Sequence, residues 1–509
     1  MINTNPKILS IQDLSNNLDK IRENKKIVLC HGVFDLLHIG HIKYFENAKT
    51  AGDILIVTVT PDRYVNKGPN RPAFPEQLRC EAIAALTVVD YVALNEWPTA
   101  VETIQILKPD IYAKGSEYKK SENDLTGMIV EEERALLENG GSMLFTDDIV
   151  FSSSALLNQF SADFPEETKT FFQTLSKMHG ESNVFSYIDN ARSLKVLVIG
   201  EAILDEYNYC DLVGVAAKDP AIVVRYLSQE RFAGGILAVA NNIANFCDNV
   251  DLIAMLGEFE SEESFIKEHL AVNVNPAFFY KKNSPTIVKQ RYVSEGPAIQ
   301  KLFEVHKIDQ RDLCASEQAM LQDQILSRIN EYDLVLVVDF GHGFISPDTA
   351  KLISENTKFL AVNTQANSGN RGFNVISKYP SADFICLNDL EIRLEERHNT
   401  GTIFDMVKNV GKKLACPITI VTQGNKGCIC YPSEEEIIII PAFAKKVVDR
   451  IGSGDALIAI ASLCAVQKAP GIITGFVGNA AASVAVSTVG HRNSIEKVPF
   501  KKYLSMLLK

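Results

Sequence analysis

Two short stretches of this chain bring together residues that can handle phosphate. The first is His38-Ile39-Gly40-His41. Two imidazoles three residues apart share one face of a helix and can bind the same oxyanion, and Gly40 lets a ligand approach the backbone closely. A helix start adds unbonded N–H groups and the positive end of a macrodipole. Gly32, ahead of Val33-Phe34-Asp35, offers the same close approach in the preceding loop. By spacing alone the histidines also read as surface decoration, or as two of three zinc ligands with His31 as the third. The second stretch is Gly452-Ser453-Gly454-Asp455. Its amides can face an anion, and Asp455, at the start of an apolar helix, is placed to accept a proton from an attacking hydroxyl. Taken alone it reads equally as a helix cap with a mobile loop.

The elements around them explain how such turns are held. Ile27 to Cys30 is an apolar run suited to a buried parallel strand, and His38 to Thr50 has helical spacing with Ile39, Ile42, Phe45 and Ala48 on one face. Ile54 to Val59 is a second buried strand, completing a β-α-β unit. Helix near Pro75 to Leu86, strand Tyr91 to Leu94, helix Thr99 to Leu107, strand Ile111 to Lys114 and strand Gly140 to Phe145 follow, and FSSSALLNQF begins another helix. From Phe160 to Leu194 there is little β character. A new series opens with KVLVIGEAILDEY and alternates strands with helices to the end. Alternation in both halves implies parallel sheets covered by helices. The expected domains are a helical extension over 1–25, an α/β domain over 26–160, a helical linker over 161–194 and a second α/β domain over 195–509.

Composition sets the outer limits. At about 150 residues per domain, 509 residues allow roughly three domain equivalents. With 46% hydrophobic and 22% charged residues, the chain as a whole is neither disordered nor fibrous. A net charge of −12 argues against a nonspecific grip on nucleic acid or an anionic membrane, so neither is expected as a partner. Ten cysteines without a Cys-x-x-Cys pair read as buried thiols in a reducing cytoplasm. The N-terminus has no apolar core of signal-peptide length, and Ile472 to Val489, interrupted by Asn479, Ser483, Ser487 and Thr488, reads as a buried helix. Trp97, the sole tryptophan, reads as packing, and Glu131 to Glu133 as a solvated face. His342 and Asp339 sit at a strand's C-terminal end, where α/β proteins bind ligands.

GVFDLLHIGH resembles the signature of the nucleotidyltransferase superfamily of glycerol-phosphate cytidylyltransferase and heptose-phosphate adenylyltransferase domains. RPAFPEQLR with Arg71 and Arg79, LKPDIYAKGSEY with Lys114 and Gly115, and FSSSALL with Ser152, Ser153 and Ser154 follow in the family's order, over about residues 25 to 160. The resemblance implies that a substrate phosphate attacks the nucleotide's α-phosphate and pyrophosphate leaves, with catalysis by positioning and charge stabilisation. It assigns His38 and His41 to the triphosphate, with Lys43 or Lys114 adding charge. Gly32, Phe34, Gly40, Arg79, Ser153 and Ser154 would bind nucleotide or phosphate. Ala155, Leu156 and Leu157 stand where family members often carry a basic residue.

VVDRIGSGDALIAIASLCAV and its surroundings resemble the ribokinase-like (PfkB) carbohydrate kinases, over about residues 195 to 509. The resemblance implies a ribokinase-like fold with a small β lid at about residues 207 to 228 and a possible homodimer through that lid. It makes Asp455 the general base and the Gly452, Ser453 and Gly454 amides the hole for the transferring phosphoryl. Asp205, Gly234, Gly235 and Asn242 would bind the acceptor, and Gly424 and Gly427 the nucleotide. Asn388 and Glu391 would act near Mg2+, and Asp449 in a monovalent-cation site for K+. Ala238 replaces a family substrate Asn, and Asn363-Thr364-Gln365 replaces an Asp-Pro-x stretch.

Two Rossmann-like, doubly wound domains of these kinds imply one sequence of reactions. A kinase phosphorylates a sugar or sugar phosphate with ATP and Mg2+, and a transferase joins a sugar 1-phosphate to ATP or CTP. The bifunctional heptose-phosphate kinase and adenylyltransferase enzymes are the two-domain analogue, and the order here is expected to be reversed relative to them. The alternative is a polyol-phosphate cytidylyltransferase whose kinase-like domain has another specificity or only binds sugar or dimerises.

Overall fold

The structure is a computed structural model, and it describes residues 5–65, 72–115, 128–146, 164–294, 296, 298–370, 372–433 and 436–508. The chain divides into two units, residues 1–163 with 501–507 and 509, and residues 164–500 with 508.

The first unit is built on a five-stranded sheet in the order β3-β2-β1-β4-β5. The strands are β1 (Ile27–Gly32), β2 (Ile54–Val59), β3 (Tyr91–Leu94), β4 (Ile111–Gly115) and β5 (Ser142–Thr146), and every pairing is parallel. Successive side chains of a strand point to opposite faces. Val28 and Cys30 accordingly join one apolar cluster with Phe45, Val57 and Ile83, while Ile27 and Leu29 join another with Ile104, Leu107 and Leu136. A sheet buried on both faces reads as a continuous apolar run, which is why β1 and β2 were plain in the sequence. The order reverses between β1 and β4, so a crevice opens beyond their C-terminal ends. Ahead of β1 lie two short helices, Ile11–Asn16 and Leu18–Arg22. Ile8 bridges Val92, and Ile11 and Leu14 are buried in the second cluster. Helix Ile129–Glu138 was not anticipated.

The second unit contains β6 (Lys195–Val215), β7 (Ile222–Gly235), β8 (Asn249–Phe259), β9 (Val274–Pro285), β10 (Ile287–Ser294), β11 (Gln300–Lys307), β12 (Leu334–Asp339), β13 (Leu360–Thr364), β14 (Phe384–Asn388), β15 (Ile418–Thr422), β16 (Cys428–Pro432) and β17 (Ile438–Ile440). Strands β9-β8-β6-β12-β13-β14-β15 form a parallel core, extended by antiparallel β16 and β17. The 21-residue β6 then leaves that core. Its distal part pairs antiparallel with β7 and parallel with β10, which pairs with β11, and these strands make the lid. Strands β9 to β11 were not anticipated.

The expected linker is a helix, Glu166–Asn190, broken at Gly180 with φ 67°. It packs on the second unit rather than lying free, with the Phe172 ring 5.0 Å from Phe443 and Phe171 6.4 Å from Phe476. The apolar stretch from Ile472 lies in the buried helix Gly471–Ala485. Among the described residues no helix is long and apolar enough to cross a membrane.

Candidate active sites

In the first unit the histidines stand at the crevice beyond β1. His38 caps helix Ile39–Thr50, its Nδ1 accepting the Gly40 N–H at 3.1 Å. A ring whose Nδ1 accepts carries its proton on Nε2 in the neutral form. The His41 ring stacks on His38 at 3.9 Å, with Phe34 edge-on to it at 5.3 Å. His31 does not join them. Buried, it faces the Thr58 hydroxyl at 3.0 Å and the Thr60 hydroxyl at 3.3 Å, and burial pulls its pKa down to about 4. Among the described residues no cluster of His, Cys, Asp and Glu could hold a metal ion, so the zinc reading of these histidines falls.

Three expected cations have other partners. Arg79 is buried and clamps the loops around the crevice. It donates to Phe74 O at 3.0 Å, Thr60 O at 2.9 Å and Val33 O, and pairs with Asp62. A guanidinium so engaged holds backbone, and its expected phosphate role is corrected accordingly. Lys43 pairs with Glu46 at 2.7 Å on the exposed side of its helix. Lys114, at the end of β4, is held by Glu132 at 2.9 Å. The expected solvated face at Glu131 to Glu133 is therefore corrected at Glu132, which is buried and also accepts from Tyr112 Oη at 3.0 Å and Ala100 N at 3.1 Å. Arg71, Ser152, Ser153 and Ser154 lie outside the described residues.

In the second unit two cavities share the wall formed by Thr422 and Gly454. One, of about 280 Å³, lies beyond the C-terminal ends of β13, β14 and β15 and beneath the lid. Asp205, Gly235, Asn388, Glu391, Gly452, Gly454 and Asp455 from the expected set line it. The other, of about 450 Å³, is lined by Gly424, Gly427, Phe443, Ser453, Leu457 and Asn479 among others, a mostly apolar slot suited to a nucleoside. Asp455 is buried in the first turn of helix Ser453–Ala465, whose cap Gly452 has φ 80°. Burial pushes its carboxyl up. Asp205 pushes the same way, while His491, Lys289 and a hydrogen bond from Gln365 oppose it.

Lys289, Arg291, Gln365 and His491 also line the first cavity, and sequence reasoning missed all four. Arg291 pairs with Asp205 Oδ1, and His491 Nε2 lies 3.4 Å from Oδ2. The signal for two of them was present: Lys289 and Arg291 alternate on one face of β10, a strand that went unread. Gly452 and Gly234 are needed here for space. A Cβ at Gly452 would collide with the His491 ring, and one at Gly234 with the Asp205 carboxylate.

One expected role is corrected. Asn242 lies in a separate cavity of about 210 Å³ with Ala238, its Oδ1 accepting Ile495 N at 2.8 Å. It holds the chain rather than lining the acceptor cavity. The Asp449 carboxylate accepts from Tyr207 Oη at 2.6 Å, Gly490 N at 3.0 Å and Ile451 N at 3.1 Å. These donors fix the carboxylate by both of its oxygens. Asn388 and Glu391 cap the helix Asp389–Glu396 reciprocally, and burial pushes the Glu391 carboxyl up to about 7.

Residues 193–498 match the family model of pfkB family carbohydrate kinases, more than half of the chain. The chain belongs to the pfkB family of carbohydrate kinases. Ahead of this pfkB region, residues 29–149 match the cytidylyltransferase-like model. Among curated relatives, "Bifunctional protein HldE" of Helicobacter pylori strain P12 is 43% identical over 137 residues, 26% of this chain and 28% of the relative. The protein of that name from Campylobacter jejuni is 24% identical over 322 residues, 60% of this chain and 66% of the relative. The chain thus matches under a third of one and just under two thirds of the other. These matches give no ground for a reversed domain order, and that expectation is dropped. Among solved structures, Escherichia coli phosphofructokinase-2 with substrates and products is similar at 16% identity and TM-score 0.49, covering 62% of this chain and 99% of that one. Thermotoga maritima ribokinase is similar at 15% identity and TM-score 0.48, covering 61% and 99%.

Proposed function

We propose that this chain is a bifunctional sugar-activating enzyme, phosphorylating a sugar or sugar phosphate of the heptose 7-phosphate class and joining a sugar 1-phosphate to a nucleotide. The observation that carries the kinase half is Asp455 in the smaller cavity, next to Gly454 in the wall that the two cavities share. ATP in the larger cavity would present its γ-phosphate at the Gly454 amide. The acceptor hydroxyl would attack from the smaller one. The new bond is from acceptor oxygen to γ-phosphorus, the bond to the β-bridging oxygen breaks, ADP leaves, and the hydroxyl proton goes to Asp455. The Gly452 to Gly454 amides face the developing charge.

Mg2+ bound to the nucleotide phosphates would neutralise their charge, and Glu391, a carboxylate in the cavity wall, fits the one or two carboxylates that such an ion takes from protein. Asn388 caps Glu391's helix and orients that carboxylate.

In the other unit the His38 and His41 rings and Lys114 would hold the triphosphate, with ATP favoured over CTP by likeness to the heptose enzymes. A sugar 1-phosphate oxygen attacks the α-phosphorus and pyrophosphate departs. No covalent enzyme intermediate is needed. Nine of the ten cysteines are buried and none is bridged, which suits a reducing cytoplasm.

The lid presents Leu212, Val213, Val215, Ile222, Tyr226 and Leu227 to solvent, each more than half exposed. Exposed apolar side chains in this number suit an interface, and we assign them to a second copy of the same lid. Sedimentation of Leu212→Lys and Val213→Lys variants as monomers would bear this out.

The deciding experiment incubates the whole protein with heptose 7-phosphate or heptose 1-phosphate and each nucleoside triphosphate, reading ADP and pyrophosphate separately. Asp455→Asn abolishes ADP release and spares pyrophosphate release from sugar 1-phosphate. His41→Ala does the reverse. Sugar phosphorylation that survives Asp455→Asn removes Asp455 as the base.

A further inference from the structure

Asp455 does not face the acceptor cavity alone. Gln365 follows β13 directly, lines the same cavity, and its Nε2 donates to Asp455 Oδ1 at 2.9 Å. An ionised carboxylate only accepts, so the amide nitrogen is the end of Gln365 that bonds to it.

The main chain of Gln365 is fixed from both sides. Its N–H donates to Asp339 O at 2.9 Å, and its carbonyl accepts from Asn370 Nδ2 at 2.9 Å. Asn367 and Asn370 also donate to Phe340 O, at 2.6 and 3.1 Å, tying the segment after β13 to the segment after β12. Asp339 is itself held by Tyr379 Oη at 3.0 Å and by Lys378. The amide that reaches Asp455 therefore projects from a braced segment. A side chain whose backbone is already ordered loses less freedom in making its bond.

We propose that Gln365 is a positioning residue for phosphoryl transfer, occupying Oδ1 of Asp455 so that Oδ2 is the atom that receives the acceptor's proton. This rests on the reading of Asp455 as the proton acceptor. The other charged groups that face Asp455 are Lys289 on β10, Asp205 on β6, His491 in the C-terminal segment and Glu391 on the helix after β14, with Arg291 also in the cavity wall. Gln365 differs from all of them in being neutral and directional. Its removal should leave the binding of ATP and acceptor nearly intact and act on the protonation and orientation of one carboxyl.

The test compares the full-length wild type, Gln365→Ala and Gln365→Glu. The infrared band of the protonated Asp455 carboxyl, identified as the band absent in Asp455→Asn, is titrated against pH without substrates. The pH profile of kcat for heptose 7-phosphate phosphorylation is measured alongside. A hydrogen bond to a charged group favours the charged form, so its loss in Gln365→Ala should raise the midpoint by about one pH unit. The acidic limb of the kcat profile should move the same way, with KM changed less than twofold. Gln365→Glu, nearly isosteric, sets a second carboxyl beside the first and should move the midpoint further up. A midpoint unmoved in both variants overturns the proposal. Because the infrared titration needs no acceptor, it decides the point even if another sugar is the substrate. An active Asp455→Asn enzyme would instead overturn the assignment of the base itself.

Discussion

The Lys114 ammonium and the Glu132 carboxylate stand 2.9 Å apart, the lysine side chain 12% and the glutamate side chain 6% exposed. Burial pushes the Glu132 carboxyl up, but Lys114, His31 and hydrogen bonds from Lys114 and Ala100 outweigh that, and the group titrates below the ordinary range. Removing one partner of such a pair leaves an uncompensated buried charge, at about 3 kcal/mol. Glu132→Gln is therefore expected to destabilise the first unit by that amount and to lower pyrophosphate release at least tenfold. Urea unfolding followed by Trp97 fluorescence measures the first effect, because the single tryptophan packs in that unit. Sugar phosphorylation is the control and should not change.

Gly452 gives a sharper test of the kinase turn. Its φ of 80° is a conformation that L residues seldom adopt, and a Cβ would collide with His491. Gly452→Ala must either rotate the turn or displace His491 from beside Asp205. Losing one amide from a phosphoryl hole lowers kcat by about 100-fold, and that is the expected fall in ADP release. The thermal unfolding midpoint should drop by no more than a few degrees, separating a local effect from a failure to fold.

Arg291 and Asp205 should show strong coupling. Arg291→Met strands a carboxylate that is 2% exposed, leaving His491 and Lys289 to offset the charge. Acceptor KM is expected to rise at least tenfold while KM for ATP stays put, since Arg291 lines the smaller cavity and not the nucleotide slot. In unfolding free energy the double variant Asp205→Asn/Arg291→Met should be less damaging than the sum of the two single changes, because the second change removes the stranded charge.

What the sequence disclosed and what it concealed divide along physical lines. β1, β2 and helix Ile39–Thr50 were legible because burial on both faces writes a local pattern, and so were the two glycine turns, whose chemistry needs adjacent residues. Glu132 was illegible because three consecutive glutamates describe a solvated face until a lysine 18 positions earlier lies opposite one of them. Arg79 misled for a related reason: a guanidinium suits a phosphate and a set of carbonyls equally well, and only the fold supplies Thr60, Phe74 and Val33 as acceptors. The acceptor cavity draws Asp205 and Arg291 from lid strands, Gln365 from a loop and His491 from beyond the last β-strand. No short window contains that set. Strand β11 was missed because it is largely solvated, and β10 because Lys289, Gln290 and Arg291 interrupt any apolar run.

His31 makes a prediction about acid. Free in an unfolded chain it titrates near its ordinary 6.5, while in the folded unit burial, reinforced by Lys114 and partly opposed by Glu132, brings it to about 4. Between those values the unfolded state binds more protons than the folded state, so stability rises with pH across that window. The contribution is fully present above 6.5 and is lost progressively as pH falls toward 4. His31→Gln keeps a polar group beside Thr58 and Thr60 but does not titrate there. Its unfolding midpoint, followed by Trp97 fluorescence from about pH 7.5 to about pH 4.5, should fall less steeply on acidification than that of the wild type. Lost packing offsets the two curves without changing their slopes, so the difference in slope is the quantity that decides. Equal slopes would mean that His31 is charged in the folded unit, beside the Thr58 and Thr60 hydroxyls.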